Sequence, residues 1–165
     1  MSLIKVLYLE DSEESMEAFE DYFENKLDFD FTDNIIAFDR YLYDEDESYD
    51  FIIIDFALDM RLTSVENIRG HIPELRNENI PTTVRENSIP LIGYDYLKYA
   101  MQHREKTIKM ISEKRIVAIS GHAALIRKEG LFTEEVFKGV PLFDRAKSSI
   151  ADIEMAIRNA NIGYR

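Results

Sequence analysis

Short apolar runs alternate with helix-like stripes along this chain, and the alternation predicts its architecture. Five runs are rich in β-branched or aromatic side chains and bounded by polar residues, at positions 4–9, 29–31, 51–54, 115–119 and 140–143. Runs of this length are typical of strands. Between most of them, apolar residues recur three or four positions apart, as on the buried face of a helix. The predicted helices are 12–27, 34–43, 94–112 and 150–160, with a short piece after His122 and another at 133–138.

Strands that alternate with helices form a parallel sheet, and right-handed crossovers place the helices on its two faces. We therefore expect an α/β fold built from five βα units. A chain of 165 residues has the length of one domain with a full hydrophobic core, which we place at residues 4–163. In open sheets of this kind, ligands bind beyond the carboxyl ends of the strands.

One stretch interrupts the alternation. Residues 60–92 contain three of the four prolines, scattered polar residues and no strong period, apart from a short helical piece near 64–69. The stretch is too long for an ordinary connection between a strand and a helix. We predict an insertion between the third strand and the third helix. The acidic run at 44–47 is interpreted as a solvated loop.

The charge and composition of the chain narrow the classes of partner. A formal net charge of −12 argues against nucleic acid or an anionic membrane surface, because phosphate groups are bound by Lys and Arg. The absence of cysteine excludes disulfides, thiolate metal ligands and cysteine nucleophiles. No apolar stretch has the length of a membrane span, and the amino terminus lacks the features of a signal peptide. We expect a cytoplasmic protein.

Polar residues follow four of the five predicted strands. Glu10 and Asp11 follow the first strand, Asp55 ends the third, Ser120 follows the fourth, and Lys147 comes after the fifth. Parallel strands bring these ends to one edge of the sheet. In the competing interpretation, Glu10 and Asp11 form only a solvated turn. Ser120 then bonds to local backbone, and Lys147 is an ordinary surface lysine.

Three carboxylates at one edge would repel one another, and a divalent cation removes that repulsion. Oxygen ligands without His or Cys suit Mg²⁺. A carboxylate beside such an ion can act as a nucleophile toward phosphorus. The hydroxyl of Ser120 and the ammonium of Lys147 would then hold phosphoryl oxygens.

The segment from Leu7 to Asp11, with Asp55, Ser120 and Lys147 in this order, resembles the receiver domains of two-component response regulators. The resemblance covers nearly the whole chain except the insertion. It implies a flavodoxin-like (βα)5 fold, with a five-stranded parallel sheet of order 2-1-3-4-5 and helices on both faces.

The resemblance also implies a function. Asp55 would accept a phosphoryl group from a phosphohistidine of a sensor histidine kinase or a histidine phosphotransfer protein. Glu10, Asp11, Asp55 and the backbone carbonyl of Ala57 would bind Mg²⁺. Ser120 and Lys147 would contact the phosphoryl group, and the output would pass through contacts with a downstream protein. Autodephosphorylation would be the only further chemistry, and homodimer formation stays open.

The sequence departs from the receiver pattern after the fifth strand. Ser148 replaces the proline that usually follows the lysine. Asp144 lies three residues before Lys147, where receivers usually have an aromatic residue, while Phe143 is adjacent. Arg145 is a second, weaker candidate for the cation.

Two connections also differ from the pattern. The loop after Asp55 usually carries a proline and then a glycine that opens the third helix. Leu58 and Asp59 replace that pattern, and Gly93 is the displaced equivalent of the glycine. The stretch from Ser120 to Lys147 is longer than expected, which suggests a remodelled fourth helix.

Two other functions compete with this interpretation. A Mg²⁺-dependent phosphohydrolase would use Asp55 as a nucleophile that turns over, with the insertion as a substrate cap. Such enzymes often carry an aspartate two residues after the nucleophile, where this chain has Ala57. A degenerate receiver would fold without being phosphorylated and would act as a scaffold.

Overall fold

The computed structural model describes residues 3–43, 48–59, 64–84, 88–160 and 162. The predicted acidic loop at 44–47 lies outside the described residues, as do residues 60–63 and 85–87 of the predicted insertion. Every helix in the described part of the chain is too short or too polar to span a membrane.

Five parallel strands form the main sheet: β1 (Ile4–Leu9), β2 (Leu27–Thr32), β3 (Phe51–Asp55), β6 (Ile116–Ser120) and β7 (Leu142–Asp144). Two short antiparallel strands, β4 (Thr83–Val84) and β5 (Ile89–Pro90), pair with each other. The order in the main sheet is β2-β1-β3-β6-β7. Because β6 and β7 are its fourth and fifth strands along the chain, the predicted order 2-1-3-4-5 is confirmed.

Seven α-helices are described: α1 (Glu13–Tyr22), α2 (Ile35–Tyr43), α3 (Val65–His71), α4 (Ile92–His103), α5 (Glu105–Ser112), α6 (Ala123–Lys128) and α7 (Ile150–Asn159). A 3₁₀ helix covers Pro73–Asn77. Ser12 caps α1 by accepting from the backbone N–H of Ser15. Asp152 accepts from the backbone N–H of Ser149 at 2.7 Å, as expected for a capping box at α7.

The helices cover both faces of the sheet with separate hydrophobic cores. One face packs on α1 and α7, and its buried side chains include Val6, Phe19, Phe23, Ile53, Val117 and Ile153. The other face packs on α2, α4, α5 and α6, and its buried side chains include Leu7, Phe38, Ile52, Tyr96, Ala118 and Ile126. All five residues of β3 are buried because helices cover the strand on both sides.

The predicted helix 94–112 is wrong in one respect, because it is two helices that meet at Arg104. This residue has an extended backbone, with φ −120° and ψ 104°. Its guanidinium forms an ion pair with Asp39 at 3.3 Å and lies 4.6 Å from the ring centroid of Tyr43. Both Asp39 and Tyr43 lie on α2, so the break between α4 and α5 coincides with contacts to a helix that is distant in sequence.

The predicted helical piece at 133–138 is also wrong. These residues form turns, and the N–H groups of Val136 and Phe137 both point to the carbonyl of Thr133. The flanking Gly130 and Gly139 have positive φ angles of 71° and 86°, which interrupt helical backbone. Only the six-residue α6 remains of the fourth helix, in line with the expected remodelling.

The later part of the predicted insertion is anchored on α4 through Asp95. The carboxylate of this buried residue accepts from the backbone N–H of Thr82 at 2.7 Å and from its hydroxyl at 2.5 Å. The carbonyl of Thr82 in turn accepts from the N–H of Leu91 at 2.8 Å. Burial raises the pKa of Asp95 to about 6, although both hydrogen bonds from Thr82 oppose that rise.

Gly93 allows α4 to begin directly against the end of β3. Its N–H donates to the carbonyl of Phe56 at 3.2 Å. A Cβ atom here would lie 1.9 Å from the carbonyl oxygen of Asp55 and 2.9 Å from its carbonyl carbon. No side chain fits at these distances unless the helix moves. Gly93 therefore occupies a position that suits the displaced glycine expected from the sequence.

We predict that Gly93→Ala lowers the free energy of unfolding by about 3 kcal/mol, because the methyl group displaces α4 from β3. Gly70→Ala is the matched control, since a Cβ there would meet nothing within 4 Å and the residue lies in α3. The control is expected to be neutral or stabilising by up to about 1 kcal/mol. Urea denaturation of both variants measures the difference, and equal stabilities would contradict the prediction.

We also predict that Thr82→Val raises the pKa of Asp95 further, because the carboxylate loses a donor that favours its charged form. The variant should then lose more stability near about pH 7, where Asp95 is ionised, than near about pH 3, where it is protonated in both states. NMR titration of the Asp95 carboxyl carbon and urea denaturation at both pH values test this. An unchanged pKa would show that the hydroxyl does not stabilise the carboxylate.

Candidate functional site

The carboxyl ends of four strands meet at one edge of the sheet. The register pairs Leu9 with Ile54, Asp55 with Ile119 and Ser120 with Asp144, so residues that end or follow these strands become neighbours. Carboxylate oxygens of Glu10, Asp11 and Asp55 all lie within 4.8 Å of one another. We call these three residues the acid cluster.

Asp55 is the last residue of β3 and its side chain is almost fully buried. Its Oδ1 accepts from the backbone N–H of Ala57 at 3.1 Å, and its Oδ2 accepts from the guanidinium of Arg145 at 2.9 Å. Burial raises the pKa of Asp55 to about 8, while Arg145 opposes the rise and Glu10 adds to it. Even with Arg145 in contact the pKa stays above neutrality, so further positive charge would favour the ionised carboxylate at neutral pH.

Glu10 is completely buried and receives four hydrogen bonds. Its Oε1 accepts from the backbone N–H groups of Asp11 at 3.0 Å and Ser12 at 2.9 Å. Its Oε2 accepts from the hydroxyl of Tyr8 at 2.9 Å and from the guanidinium of Arg145 at 2.5 Å. A carboxylate offers about four lone-pair positions, so protein donors occupy all of those on Glu10.

Arg145 links the acid cluster to α1 and β7. One terminal nitrogen, Nη2, contacts both Glu10 and Asp55, and the other, Nη1, donates to the hydroxyl of Ser15 at 3.1 Å. Arg145 directly follows β7, and its backbone N–H donates to the carbonyl of Ser120 at 3.1 Å. The structure therefore brings the second cation candidate to the site.

Lys147, the first cation candidate, lies elsewhere. Its side chain is exposed, and within the described part of the chain its ammonium makes no hydrogen bond or ion pair. Its backbone N–H closes a turn on the carbonyl of Asp144 at 3.0 Å. The strand register explains the difference, since β7 ends at Asp144 and the next residue points toward the acid cluster.

The residue three positions before the cation is usually aromatic in receivers. Counted from Arg145, that residue is Leu142, which is buried in the core, while Phe143 is only partly buried on the opposite face. The aliphatic side chain of Leu142 offers no aromatic ring for a switch at this position.

Ser120 lies at the same edge and is completely buried. Its hydroxyl oxygen accepts from the backbone N–H of His122 at 3.1 Å. In this arrangement the hydroxyl bonds to local backbone, as the competing interpretation expects, and among the described residues its hydrogen has no acceptor, which leaves it available to a ligand. A role toward a phosphoryl group stays a prediction.

The cluster fits a hard divalent cation through two of its members. Asp11 uses Oδ2 to accept from the backbone N–H of Asp59 at 2.6 Å, and in the described residues its Oδ1 accepts no hydrogen bond. Asp55 lies beside it with carboxylate oxygens, the ligand type that Mg²⁺ prefers. Glu10 has no vacant lone pair while its four donors stay in place. The roles of Glu10 and of the Ala57 carbonyl as metal ligands stay predictions.

Sequence reasoning gave Tyr8 no role of its own and ranked Arg145 second. Tyr8 lies on β1 and Glu10 directly follows that strand, two residues later, so continued strand alternation places both side chains on the same face of the sheet. From the sequence, that spacing could have indicated that the Tyr8 hydroxyl lies beside the Glu10 carboxylate. Burial raises the pKa of Tyr8 well above 10, and the hydroxyl is therefore a proton donor at neutral pH.

Solved receiver domains have the same fold. The chain matches the crystal structure of a CheY-like response regulator receiver domain protein from Methanospirillum hungatei JF-1, with a TM-score of 0.54 and 11% identity over 97% of this chain and 98% of that one. It also matches the signal receiver domain of a putative Luxo repressor protein from Vibrio parahaemolyticus, with a TM-score of 0.51 and 14% identity over 98% and 95% of the two chains. No family model and no curated protein matches the sequence. The receiver-like, flavodoxin-like fold is thus confirmed.

We predict that Arg145→Gln lowers the free energy of unfolding by about 3 kcal/mol in metal-free buffer, because it leaves two buried carboxylates without their cation. Mg²⁺ should restore more stability to this variant than to the wild type, since the ion replaces the missing charge. Urea denaturation with EDTA and with Mg²⁺ measures both effects. Lys147→Gln is the control. If Lys147→Gln lost as much stability as Arg145→Gln, the assignment of Arg145 as the cation of the site would be contradicted.

Proposed function

We propose that the chain is a phosphoacceptor signalling module in which Asp55 receives a phosphoryl group from the phosphohistidine of a partner protein. One observation carries the proposal: the Asp55 carboxylate is held at a strand end between the guanidinium of Arg145 and the carboxylate of Asp11. The receiver-like fold supports the same function.

In the transfer step, a carboxylate oxygen of Asp55 attacks phosphorus and forms an acyl phosphate. The phosphorus–nitrogen bond of phosphohistidine breaks, and its electron pair returns to the imidazole nitrogen. The N–H of Ala57 orients the carboxylate through Oδ1. Mg²⁺ held by Asp11 and Asp55 would neutralise charge on the phosphoryl oxygens.

Arg145 takes the role that the sequence had assigned to Lys147. Its guanidinium already contacts Oδ2 of Asp55, so a short movement brings its N–H groups to a phosphoryl group on that oxygen. A guanidinium can donate two parallel hydrogen bonds to phosphate, which an ammonium cannot do. Ser120 supplies a hydroxyl from the neighbouring strand.

Phosphorylation of Asp55 would alter the protein surface through the elements that Arg145 contacts at this edge of the sheet. It adds up to two negative charges beside Arg145, whose backbone N–H is bonded to Ser120 and whose Nη1 contacts Ser15 on α1. A change in the position of Arg145 therefore reaches β7, β6 and α1 together. We expect a histidine kinase or phosphotransfer protein as donor and a protein target as the output.

The residues on either side of the insertion both contact the proposed phosphorylation site. Asp59, just before residues 60–92, donates to Asp11, and Gly93, just after them, packs on the backbone of Asp55. We expect the insertion to screen the site or to bind a partner. The same proximity would suit a substrate cap, but Ala57 occupies the position where a phosphohydrolase often carries its second aspartate.

Acetyl phosphate with Mg²⁺ tests the function. We expect one phosphoryl adduct by intact mass on the wild type, its loss in EDTA and its absence in Asp55→Asn. Asp50→Asn is a matched control, because Asp50 precedes β3 at its opposite end and bonds to the backbone of Lys5. An adduct that survives Asp55→Asn would overturn the proposal, and rapid turnover of a small phosphate ester would favour the phosphohydrolase. A wild type that takes up no phosphoryl group would favour the scaffold.

A further inference from the structure

We propose that Tyr8 is a positioning residue for the phosphoacceptor site, and this inference rests on the function proposed above. Its hydroxyl fixes Glu10 as the counter-ion of Arg145, and Glu10 in turn holds the guanidinium against Asp55. Tyr8 does not touch the reacting atoms. Its effect passes through two contacts, from the hydroxyl to Glu10 and from Glu10 to Arg145.

The first part of the argument is the shared oxygen. Oε2 of Glu10 accepts from both Tyr8 and Arg145, at 2.9 and 2.5 Å. The same nitrogen of Arg145 that reaches this oxygen also reaches Oδ2 of Asp55 at 2.9 Å. The position of Glu10 therefore decides where the guanidinium lies relative to the nucleophile.

The second part is the rigidity of the tyrosine. Tyr8 is completely buried in β1, and its ring packs on Phe19 and Phe31 with centroid distances of 5.0 and 5.6 Å. These contacts leave the hydroxyl a fixed position beside Glu10. Aromatic packing of this kind persists in a Tyr→Phe variant, so the hydroxyl can be removed alone.

The third part is the competition for Glu10. With four donors in place, the carboxylate has no free lone pair and stays bound to Arg145. Without the hydroxyl, Oε2 gains a vacant position that a water or a cation can fill. The guanidinium then shares Glu10 with a competitor and spends less time on Asp55.

Tyr8→Phe tests the inference, with Tyr49→Phe as the matched control. Tyr49 is also buried, and its hydroxyl donates to a carboxylate of β2, Asp30, at 2.8 Å. The first readout needs no phosphorylation: NMR of the Arg145 guanidinium hydrogens. We expect separate, slowly exchanging signals in the wild type and in Tyr49→Phe, and averaged signals in Tyr8→Phe.

The second readout is the rate of phosphorylation by acetyl phosphate at saturating Mg²⁺. We expect Tyr8→Phe to be roughly tenfold slower than wild type, which is less than the about hundredfold loss that a misplaced group can cause, because Tyr8 acts only through Glu10 and Arg145. In an Arg145→Gln background, Tyr8→Phe should change the rate by less than about twofold, because the residue through which it acts is gone.

The outcomes separate the inference from the function on which it rests. Unchanged guanidinium signals in Tyr8→Phe would overturn the positioning role, whatever the rates. A similar slowing in both backgrounds would also overturn it, because Tyr8 would then act without Arg145. Averaged signals in Tyr8→Phe, in a protein that forms no adduct, would support the positioning role and reject the phosphoacceptor function.

Discussion

The ion pairs of Arg145 with Glu10 and Asp55 are the constraint on which the site depends. Both carboxylates are buried at the ends of parallel strands, where each would destabilise the fold if it were charged and unpaired. Arg145 reaches them from the end of β7, so a single side chain ties three strands together at the functional edge. The same guanidinium lies where a phosphoryl group on Asp55 would need positive charge. Stability and proposed chemistry therefore depend on one residue.

The parallel strands and the location of the site were predictable from local signals, whereas the strand order 2-1-3-4-5 came from the resemblance to receiver domains. Apolar runs rich in β-branched residues identify the buried strands, and residues at strand ends of a parallel sheet must meet at one edge. Gly93 was singled out through the same resemblance, and the structure supplies its physical reason, since helix α4 can approach Asp55 only where no Cβ intervenes. The strands and the edge that carries the site follow from residue type and position along single elements.

The errors arose where contacts between distant elements decide the outcome. The predicted fifth strand ended at residue 143, whereas pairing with β6 extends it to Asp144 and turns Arg145, rather than Lys147, toward the acids. The helix break at Arg104 accompanies its contacts with Asp39 and Tyr43 on α2, which the helical period does not reveal. Tyr8 was overlooked because a tyrosine inside a strand usually indicates packing alone. Its hydroxyl matters only because Glu10 lies two residues ahead on the same face.

The structure of the protein with Mg²⁺ and beryllofluoride tests the account most directly, because this complex mimics an aspartyl phosphate. The account predicts beryllium bonded to a carboxylate oxygen of Asp55, a cation on Asp11 and Asp55, and fluorine atoms contacted by the guanidinium of Arg145. Lys147 should remain in solvent. Beryllofluoride bound away from Asp55, or bound there with Lys147 in contact and Arg145 displaced, would contradict the account.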